Sequence, residues 1–104
     1  DGYEVTLNPD LIDRAMIAYV SVTTVPEKEE QVGLALSQIA DIQEVHFVSG
    51  NDCYITKVRC KNSIALGEII QQQIKTIDGV LATRSEIVLS TNKETSRFPL
   101  PQAL

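Results

Sequence analysis

Two strand–helix–strand patterns follow one another in this chain, and this duplication constrains the fold more than any single motif. Residues 15–24 and 42–48 are rich in β-branched and apolar residues, as strands are, and flank a helical segment. Residues 53–60 and 80–91 flank a second helical segment. Because crossover connections are right-handed, the order β-α-β-β-α-β places both helices on one face of a four-stranded antiparallel sheet. We therefore predict an α+β domain with a ferredoxin-like arrangement.

Each helical segment has a start signal and one apolar stripe. Pro26 suits the first position of a helix, and glutamates follow it near the positive end of the helix dipole. Asn62 is typical of an N-cap for the second helix, and Gly79 of a left-handed C′ residue at its end. Residues at helical spacing predict two buried stripes, Val32, Ala35, Leu36 and Ile39 in the first helix and Leu66, Ile69, Ile70, Ile74 and Ile77 in the second.

The two ends of the chain are additions to this core. Residues 3–7 alternate between apolar and polar side chains, which predicts a short half-exposed strand that Pro9 then ends. We therefore divide the chain into a linker strand with its connection (residues 1–14), a main domain (residues 15–95) and a C-terminal tail (residues 96–104). Two prolines in the tail predict an irregular or extended segment.

Charge and hydropathy argue against two classes of partner. The chain has 9 basic and 14 acidic residues, a net charge of −5 and no run of lysine or arginine. It is therefore a poor binder of nucleic acid by itself. The longest apolar run, residues 15–20, is far shorter than the ~20 residues of a membrane span, and no basic-then-apolar leader is present. We expect no membrane association.

The cysteines indicate a compartment and argue against a metal site. Cys53 and Cys60 would lie about 23 Å apart on opposite faces of one strand, so they cannot form a disulfide within the chain. Two unpaired thiols favour a reducing, cytoplasmic location. With a single histidine, they are too few for a zinc site, and we predict neither a metal nor another cofactor.

Some apolar side chains exceed what one helix layer can cover. Tyr19, Phe47, Ile87 and Leu89 all lie in or next to predicted strands and cannot all point towards the helices. Apolar surface should therefore remain on the outer sheet face or at its edges. Surfaces of that kind usually mark an interface, so we predict that the chain forms oligomers with itself.

The loop between the second and third strands is the leading candidate for a binding site. Gly50 and Asn51 tolerate positive φ, and Asp52 can hydrogen-bond its own backbone, so the loop is at least a hairpin turn. Successive amide groups in such a glycine-containing turn can also form a concave site for a carboxylate. From these residues alone, a turn and a binding site both remain open.

Several short motifs resemble the effector-binding half of the leucine-responsive/asparagine (Lrp/AsnC) transcription regulators. They are residues 42–50, 54–59, 77–80, 83–89 and 93–95, with residues 2–9 similar to the family's linker strand. The resemblance implies a domain, often called RAM, that dimerises through its sheets and assembles further, commonly into octamers. It implies amino-acid effectors bound between dimers, without any chemistry on the ligand. It also implies that DNA is bound only by a helix-turn-helix domain, which this sequence does not contain.

The resemblance also implies a ligand site shared between copies of the chain. The ligand-binding residues that it implies are Phe47, Ser49, Gly50, Asn51, Asp52, Cys53, Glu86, Ile87 and Val88. The loop would hold the charged end of the ligand, Phe47 would lie near its side chain, and residues 86–88 of a neighbour would line the opposing strand. Many members have an acidic residue three places after the glycine, where this chain has Cys53 with Asp52 one place earlier. Either the loop re-aims Asp52 towards the ammonium group, or the ligand is not an ordinary amino acid.

Three alternatives compete with this hypothesis. The chain could be a stand-alone oligomerisation module without a ligand. It could be an enzyme like the sirohaem decarboxylases, which are similar in fold, but His46 and Glu44 have no nucleophile or metal-ligand pattern beside them. We therefore predict that the chain is not an enzyme and that His46 is a structural or interface residue. Cys53 could act as an oxidisable sensor or simply pack as a small apolar side chain.

Overall fold

The computed structural model describes residues 16–51 and 53–95. Its strands and α-helices are β1 (Met16–Thr24), α1 (Glu29–Ser37), β2 (Ile42–Phe47), β3 (Tyr54–Cys60), α2 (Ser63–Ile69) and β4 (Val80–Ile87). A 3-10 turn, Pro26–Lys28, precedes α1, and a π-helical turn, Ile70–Ile74, continues α2. The predicted linker strand and C-terminal tail lie outside the described residues.

The four strands form one antiparallel sheet in the order β2-β3-β1-β4. This order and the two helical connections confirm the ferredoxin-like α+β prediction. At one end of the sheet Tyr54 pairs with both Phe47 and Val22, and Val22 also pairs with Thr83. At the other end Ile17 pairs with Arg59. The first row lies next to the loop between β2 and β3, and the second contains Ile17, which is the partner of Val88.

The core lies between the helices and one face of the sheet. Alternate residues of the two central strands point into it, and the fully or almost fully buried hydrophobic residues are Ala18, Val20, Val22, Val32, Leu36, Val58, Cys60, Leu66, Ile69 and Ile74. Burial of one such aliphatic side chain contributes about 1.5–3 kcal/mol. The one fully buried polar side chain among the described residues, Thr56, donates its hydroxyl to the Val20 carbonyl oxygen at 3.0 Å.

Both predicted helical stripes are confirmed, since every member is buried or partly buried. The predicted N-cap is confirmed as well, because Asn62 Oδ1 accepts a hydrogen bond from the Ala65 amide at 2.8 Å. Pro26 does begin the first helical segment, but as a 3-10 turn, so the α-helix starts three residues later.

Gly79 has the predicted left-handed conformation (φ +106°), but its predicted position as C′ residue was wrong. The helical segment ends at its C-cap Lys75, and Gly79 lies in the turn before β4. The turn packs so closely on the start of α1 that a Cβ on Gly79 would lie 2.7 Å from Lys28 Cβ. The Val25 amide also donates to the Gly79 carbonyl oxygen at 2.9 Å. Gly79 is therefore required by close packing between two segments.

The strand boundaries also differ from the prediction by a few residues. β3 begins at Tyr54 rather than at Cys53, and β4 ends at Ile87 rather than near Thr91. The ladder with β1 continues one step further through a hydrogen bond from the Val88 amide to the Ile17 carbonyl oxygen at 2.9 Å. β1 begins at Met16, the first described residue, so the predicted strand start at residue 15 lies outside the described residues.

A second glycine, Gly33 in α1, allows the ring of Tyr54 to lie against the helix. A Cβ on Gly33 would come within 2.7 Å of Tyr54 Cζ and still closer to the hydroxyl oxygen. That hydroxyl donates a hydrogen bond to the Glu29 carbonyl oxygen at 3.0 Å. Gly67 in α2, by contrast, has no atom within 4 Å of its Cβ position.

Gly33→Ala is therefore expected to lower the free energy of unfolding by about 1–3 kcal/mol, because the Tyr54 ring must move off the helix. Gly67→Ala, the matched control, is expected to raise it by roughly 0.5–1 kcal/mol through helix propensity alone. Urea denaturation followed by circular dichroism measures both. Equal stabilisation by the two substitutions would contradict the close packing of Tyr54 on α1.

Candidate functional site

The loop between β2 and β3 is a closed turn. The Val48 amide donates to the Cys53 carbonyl oxygen at 3.0 Å, which brings the two ends of the loop together. Gly50 has φ +113°, and its Cβ position is open space. Its requirement for glycine is therefore one of backbone conformation. Ser49, Gly50 and Asn51 are all exposed residues of this turn. Asp52, the fourth predicted residue of this loop, lies outside the described residues.

Cys53 ends the loop with its thiol turned towards α1. Its Sγ accepts a hydrogen bond from Thr24 Oγ1 at 3.5 Å and donates to Glu29 Oε2 at 3.9 Å. Neither Cys53 nor Cys60 forms a disulfide. The side chain of Cys53 is half-buried between the end of β1 and the start of α1, which supports its interpretation as a packing residue.

An open apolar groove of about 280 Å³ lies beside the loop, between α1 and the edge of the sheet. Its lining residues are Glu30, Gly33, Leu34, Ser37, Val45, Phe47 and Tyr54. Phe47 packs against Tyr54 with ring centroids 5.2 Å apart and planes inclined at 58°. Even so, Phe47 and Leu34 remain 63% and 66% exposed. The groove therefore presents unpartnered apolar surface next to a polar turn.

Sequence reasoning found Phe47 but missed the helical side of this groove. Leu34 and Ser37 lie off the buried stripe of α1 and are not among the site residues predicted from the sequence. The one available signal was Gly33, since a glycine inside an otherwise regular helical pattern often marks a close approach. Here that approach is made by the Tyr54 ring, which forms the floor of the groove.

The electrostatic surroundings of Tyr54 are negative. Burial raises the pKa of the Tyr54 hydroxyl, and the negative charges of Glu29, Cys53 and Glu30 raise it further. The hydroxyl therefore stays protonated through the neutral range and keeps its hydrogen bond to the Glu29 carbonyl oxygen. The same charges make the junction of groove and loop attractive to a cation.

The remaining predicted site residues lie at the other end of the sheet. Glu86 pairs with Tyr19, Ile87 pairs with Ala18, and the Val88 amide bonds the Ile17 carbonyl oxygen. The loop, in contrast, follows the row of Val22. Five residues of β1 separate Val22 from Ile17, which corresponds to about 17 Å along the strand. One chain therefore does not bring the loop and residues 86–88 together.

The outer sheet face carries a charged cluster at β2 and β3. His46 Nε2 lies 3.0 Å from Glu44 Oε1, and Lys57 Nζ lies 3.7 Å from Glu44 Oε2. The hydrogen bond from His46, assisted by the charge of Lys57, lowers the pKa of Glu44 against a smaller opposing effect of burial. Within residues 16–51 and 53–95, no group of three or more histidine, cysteine, aspartate or glutamate side chains is arranged to hold a metal ion.

The apolar side chains expected to remain uncovered are indeed exposed. Tyr19 and Ile87 are each 39% exposed, Phe47 is 63% exposed and Leu89 is 93% exposed. Tyr19 belongs to the outer face of β1, while Phe47 and Ile87 lie on the two edge strands, β2 and β4. In the part of the chain that is described, no helix has the length and hydropathy to cross a membrane.

The lowered pKa of Glu44 predicts an acid-sensitive contribution to stability. This contribution is complete when the pH is above the ordinary pKa of glutamate. It is lost as the pH falls through the lower pKa that Glu44 has in the folded state. Glu44→Gln is therefore expected to make the free energy of unfolding fall less steeply below about pH 4.5. Urea denaturation at several pH values between about 3 and 6 measures this pH dependence of the free energy of unfolding.

His46→Ala should act in the same direction but less strongly, because Lys57 would remain beside the carboxylate. A Glu44→Gln variant whose stability followed pH in parallel with the wild type would contradict the assignment of the ion pair.

Similar proteins are found by both sequence and structure. The model of the Lrp/AsnC ligand binding domain matches residues 17–98. The leucine-responsive regulatory protein of Escherichia coli (strain K12) is 30% identical over 100 residues, which cover 93% of this chain and 61% of the relative. The protein of the same name from Klebsiella pneumoniae shows the same identity and coverage. The chain thus spans about three fifths of the length of these curated relatives.

Solved structures show the same fold. AsnC of Escherichia coli superimposes with a TM-score of 0.82 at 19% identity, over 94% of this chain and 66% of that one. A transcriptional regulator of Neisseria meningitidis in complex with L-Met gives a TM-score of 0.84 at 18% identity, over 98% and 68%.

A feast or famine regulatory protein of M. tuberculosis, complexed with L-methionine, gives a TM-score of 0.76 at 28% identity, over 93% of this chain and 65% of that one. The first two structures support the fold alone, because their identities to this chain are low. The family model, however, covers most of the sequence. This chain therefore belongs to the Lrp/AsnC family, and residues 17–98 form its ligand-binding domain.

Proposed function

We propose that this chain is the amino-acid-sensing and assembly domain of a cytoplasmic transcription regulator, and that it binds its ligand without changing it chemically. The observation that carries the proposal is the match of residues 17–98 to the Lrp/AsnC ligand binding domain. Two solved structures of the same fold are complexes with L-methionine, which supports an amino acid as the class of ligand. DNA would be bound by a helix-turn-helix domain, which the matched residues do not include.

The loop and the groove together suit an amino acid with an apolar side chain. The exposed amides around Gly50 offer hydrogen-bond donors for the carboxylate. The adjoining groove of about 280 Å³, with Phe47, Leu34 and Tyr54 among its lining residues, offers apolar surface for the side chain. Its volume is at the lower end of the range for small-molecule sites. We propose Phe47, Ser49, Gly50, Asn51, Asp52 and Cys53 as one half of the site.

The other half of the proposed site comes from a second copy of the chain. Glu86, Ile87 and Val88 are displaced from the loop by three to five positions along β1, about 10–17 Å, and lie on β4 at the opposite edge of the sheet from β2, so a ligand at the loop does not touch them within one chain. The exposed Tyr19 on the outer sheet face and Phe47 and Ile87 on the edge strands supply surface for contacts between copies. We propose a homodimer that assembles further, as in an octamer.

Such an arrangement would connect ligand binding to the spacing of the attached DNA-binding domains. A ligand held between two copies favours the assembly in which both halves of its site meet. It shifts the equilibrium only as far as its affinities for the two assembly states differ. The attached DNA-binding domains would follow that change in assembly.

The proposal predicts that an amino acid raises the thermal stability of the wild-type chain. A ligand present at 100 times its dissociation constant stabilises the folded state by ~2.7 kcal/mol. A thermal-shift screen with the twenty amino acids measures this effect. Gly50→Ala should reduce the shift, because alanine disfavours the positive φ that shapes the turn. Gly67→Ala, the same change on a helix away from the loop, should preserve it.

If the folded protein showed no shift with any of the twenty amino acids, the chain would be an oligomerisation module that binds no amino acid. That outcome would refute the sensing half of the proposal and retain the oligomerisation half.

Mixing of two variants tests whether the site lies between copies. Gly50→Ala impairs the loop half and Ile87→Asp the β4 half, so each variant alone should bind the responding amino acid weakly. After denaturation and refolding together, some sites combine an intact loop with an intact β4, and part of the binding should return. Isothermal titration calorimetry measures the recovery, and light scattering measures the mass. A monomeric wild type at high concentration, or no recovery on mixing, would overturn the shared site.

A further inference from the structure

The described part of the loop has no acidic side chain for the ammonium group of an amino acid. Its residues are Val48, Ser49, Gly50, Asn51 and Cys53. An ammonium group that leaves water needs a charged acceptor, and charge-assisted hydrogen bonds to a carboxylate are the strongest that side chains offer. The acceptor must therefore come from Asp52 or from another element that reaches the loop.

Glu29 reaches the loop from the first position of α1. Its Oε2 lies 3.9 Å from Cys53 Sγ, and its carbonyl oxygen accepts the Tyr54 hydroxyl at 3.0 Å. Both partners belong to the segment where the loop enters β3. The two contacts therefore hold Glu29 beside the loop, and the residue is only half-buried.

The carboxylate of Glu29 is available for a cation. The preceding residue, Lys28, forms a salt bridge of 2.6 Å with Asp78, which lies in the turn before β4. Within the described part of the chain, Glu29 forms no ion pair, and its carboxylate accepts one side-chain hydrogen bond, from the Cys53 thiol. A bound ammonium group would thus meet a carboxylate that no resident cation in that part of the chain neutralises.

Two further observations place negative charge at the junction of loop and groove. Glu30, the next residue of α1, is exposed and lines the groove itself. Burial raises the pKa of Tyr54, and the charges of Glu29 and Glu30 raise it further, in agreement with their position beside the groove. The turn at Gly50 and the carboxylate of Glu29 thus both lie at the loop, where the loop enters β3, and the apolar groove adjoins this end.

We propose that Glu29 is the residue that binds the ammonium group of the effector. The inference rests on the proposed amino-acid site and adds one residue from α1 to it. The ligand class then follows from three features: a carboxylate for the turn amides, an ammonium group for Glu29 and an apolar side chain for the groove. An α-amino acid with an aliphatic or thioether side chain satisfies all three.

Two probes separate ammonium recognition from side-chain recognition. L-Methionine carries all three features, and 4-(methylthio)butanoate carries the same side chain and carboxylate without the amino group. Glu29→Gln is expected to weaken L-methionine binding about ten- to hundredfold, the loss of one charge-assisted hydrogen bond. Binding of 4-(methylthio)butanoate should remain close to that of the wild type. Isothermal titration calorimetry measures both affinities, and L-leucine with 4-methylpentanoate is the second pair.

Glu27→Gln is the matched control, because it removes the same charge from an exposed residue of the 3-10 turn just before α1. It should bind L-methionine like the wild type. Adding Cys53→Asp to the Glu29→Gln variant should restore binding, since Cys53 Sγ lies 3.9 Å from the carboxylate oxygen of Glu29. A purely structural role for Glu29 would not be rescued in this way. Circular dichroism without ligand confirms that each variant is folded.

The possible results are distinct. Equal binding by Glu29→Gln and the wild type would overturn this inference while the amino-acid site stood. A loss in Asp52→Asn with none in Glu29→Gln would assign the ammonium group to Asp52 instead. A wild-type chain that binds none of the twenty amino acids would refute the proposed function and, with it, this role of Glu29.

Discussion

The contact of Tyr54 with Gly33 is the constraint on which the rest of the site depends. It ties the first residue of β3 to the middle of α1, and the Tyr54 hydroxyl then bonds the Glu29 carbonyl oxygen at 3.0 Å. Because the ring occupies the place of a side chain on the helix, it both closes the core and leaves a groove above it. Phe47 packs on the same ring and forms the groove's outer wall. Packing at one residue therefore shapes the surface that we assign to the ligand.

Charge divides this surface into two ends. The turn at Gly50 exposes amide donors, and the start of α1 carries Glu29 and Glu30 with no cation paired to either in the described part of the chain. A zwitterion matches such a surface better than a simple anion or cation does, since its ammonium can meet a carboxylate while its carboxylate meets amide donors. The net charge of −5 makes the same domain a poor binder of nucleic acid by itself. In the proposed function, DNA is therefore bound by a separate domain.

Much of the fold could be predicted because its signals are local. Alternation in the strands, the stripes of α1 and α2 and the cap at Asn62 each depend on residues a few positions apart. The loop half of the proposed site is one continuous segment, so its turn could be predicted for the same reason. The helical wall of the groove could not be, because Leu34 and Ser37 line it together with sheet residues that are distant in sequence, such as Phe47. Gly79 shows the same limit: its left-handed conformation was expected, but its role in packing against Lys28 was not.

The sequence by itself determined the βαββαβ order, the buried stripes, the turn at Gly50 and the resemblance to the Lrp/AsnC regulators. Only the tertiary structure decided that Cys53 faces Glu29 and that residues 86–88 lie at the far end of the sheet from the loop. The reason is physical. Periodicity and turn chemistry act between neighbours in the chain, whereas the partners of Cys53 and the distance across the sheet follow from strand register and helix packing. Those depend on residues that are far apart in sequence, such as Glu29 and Cys53.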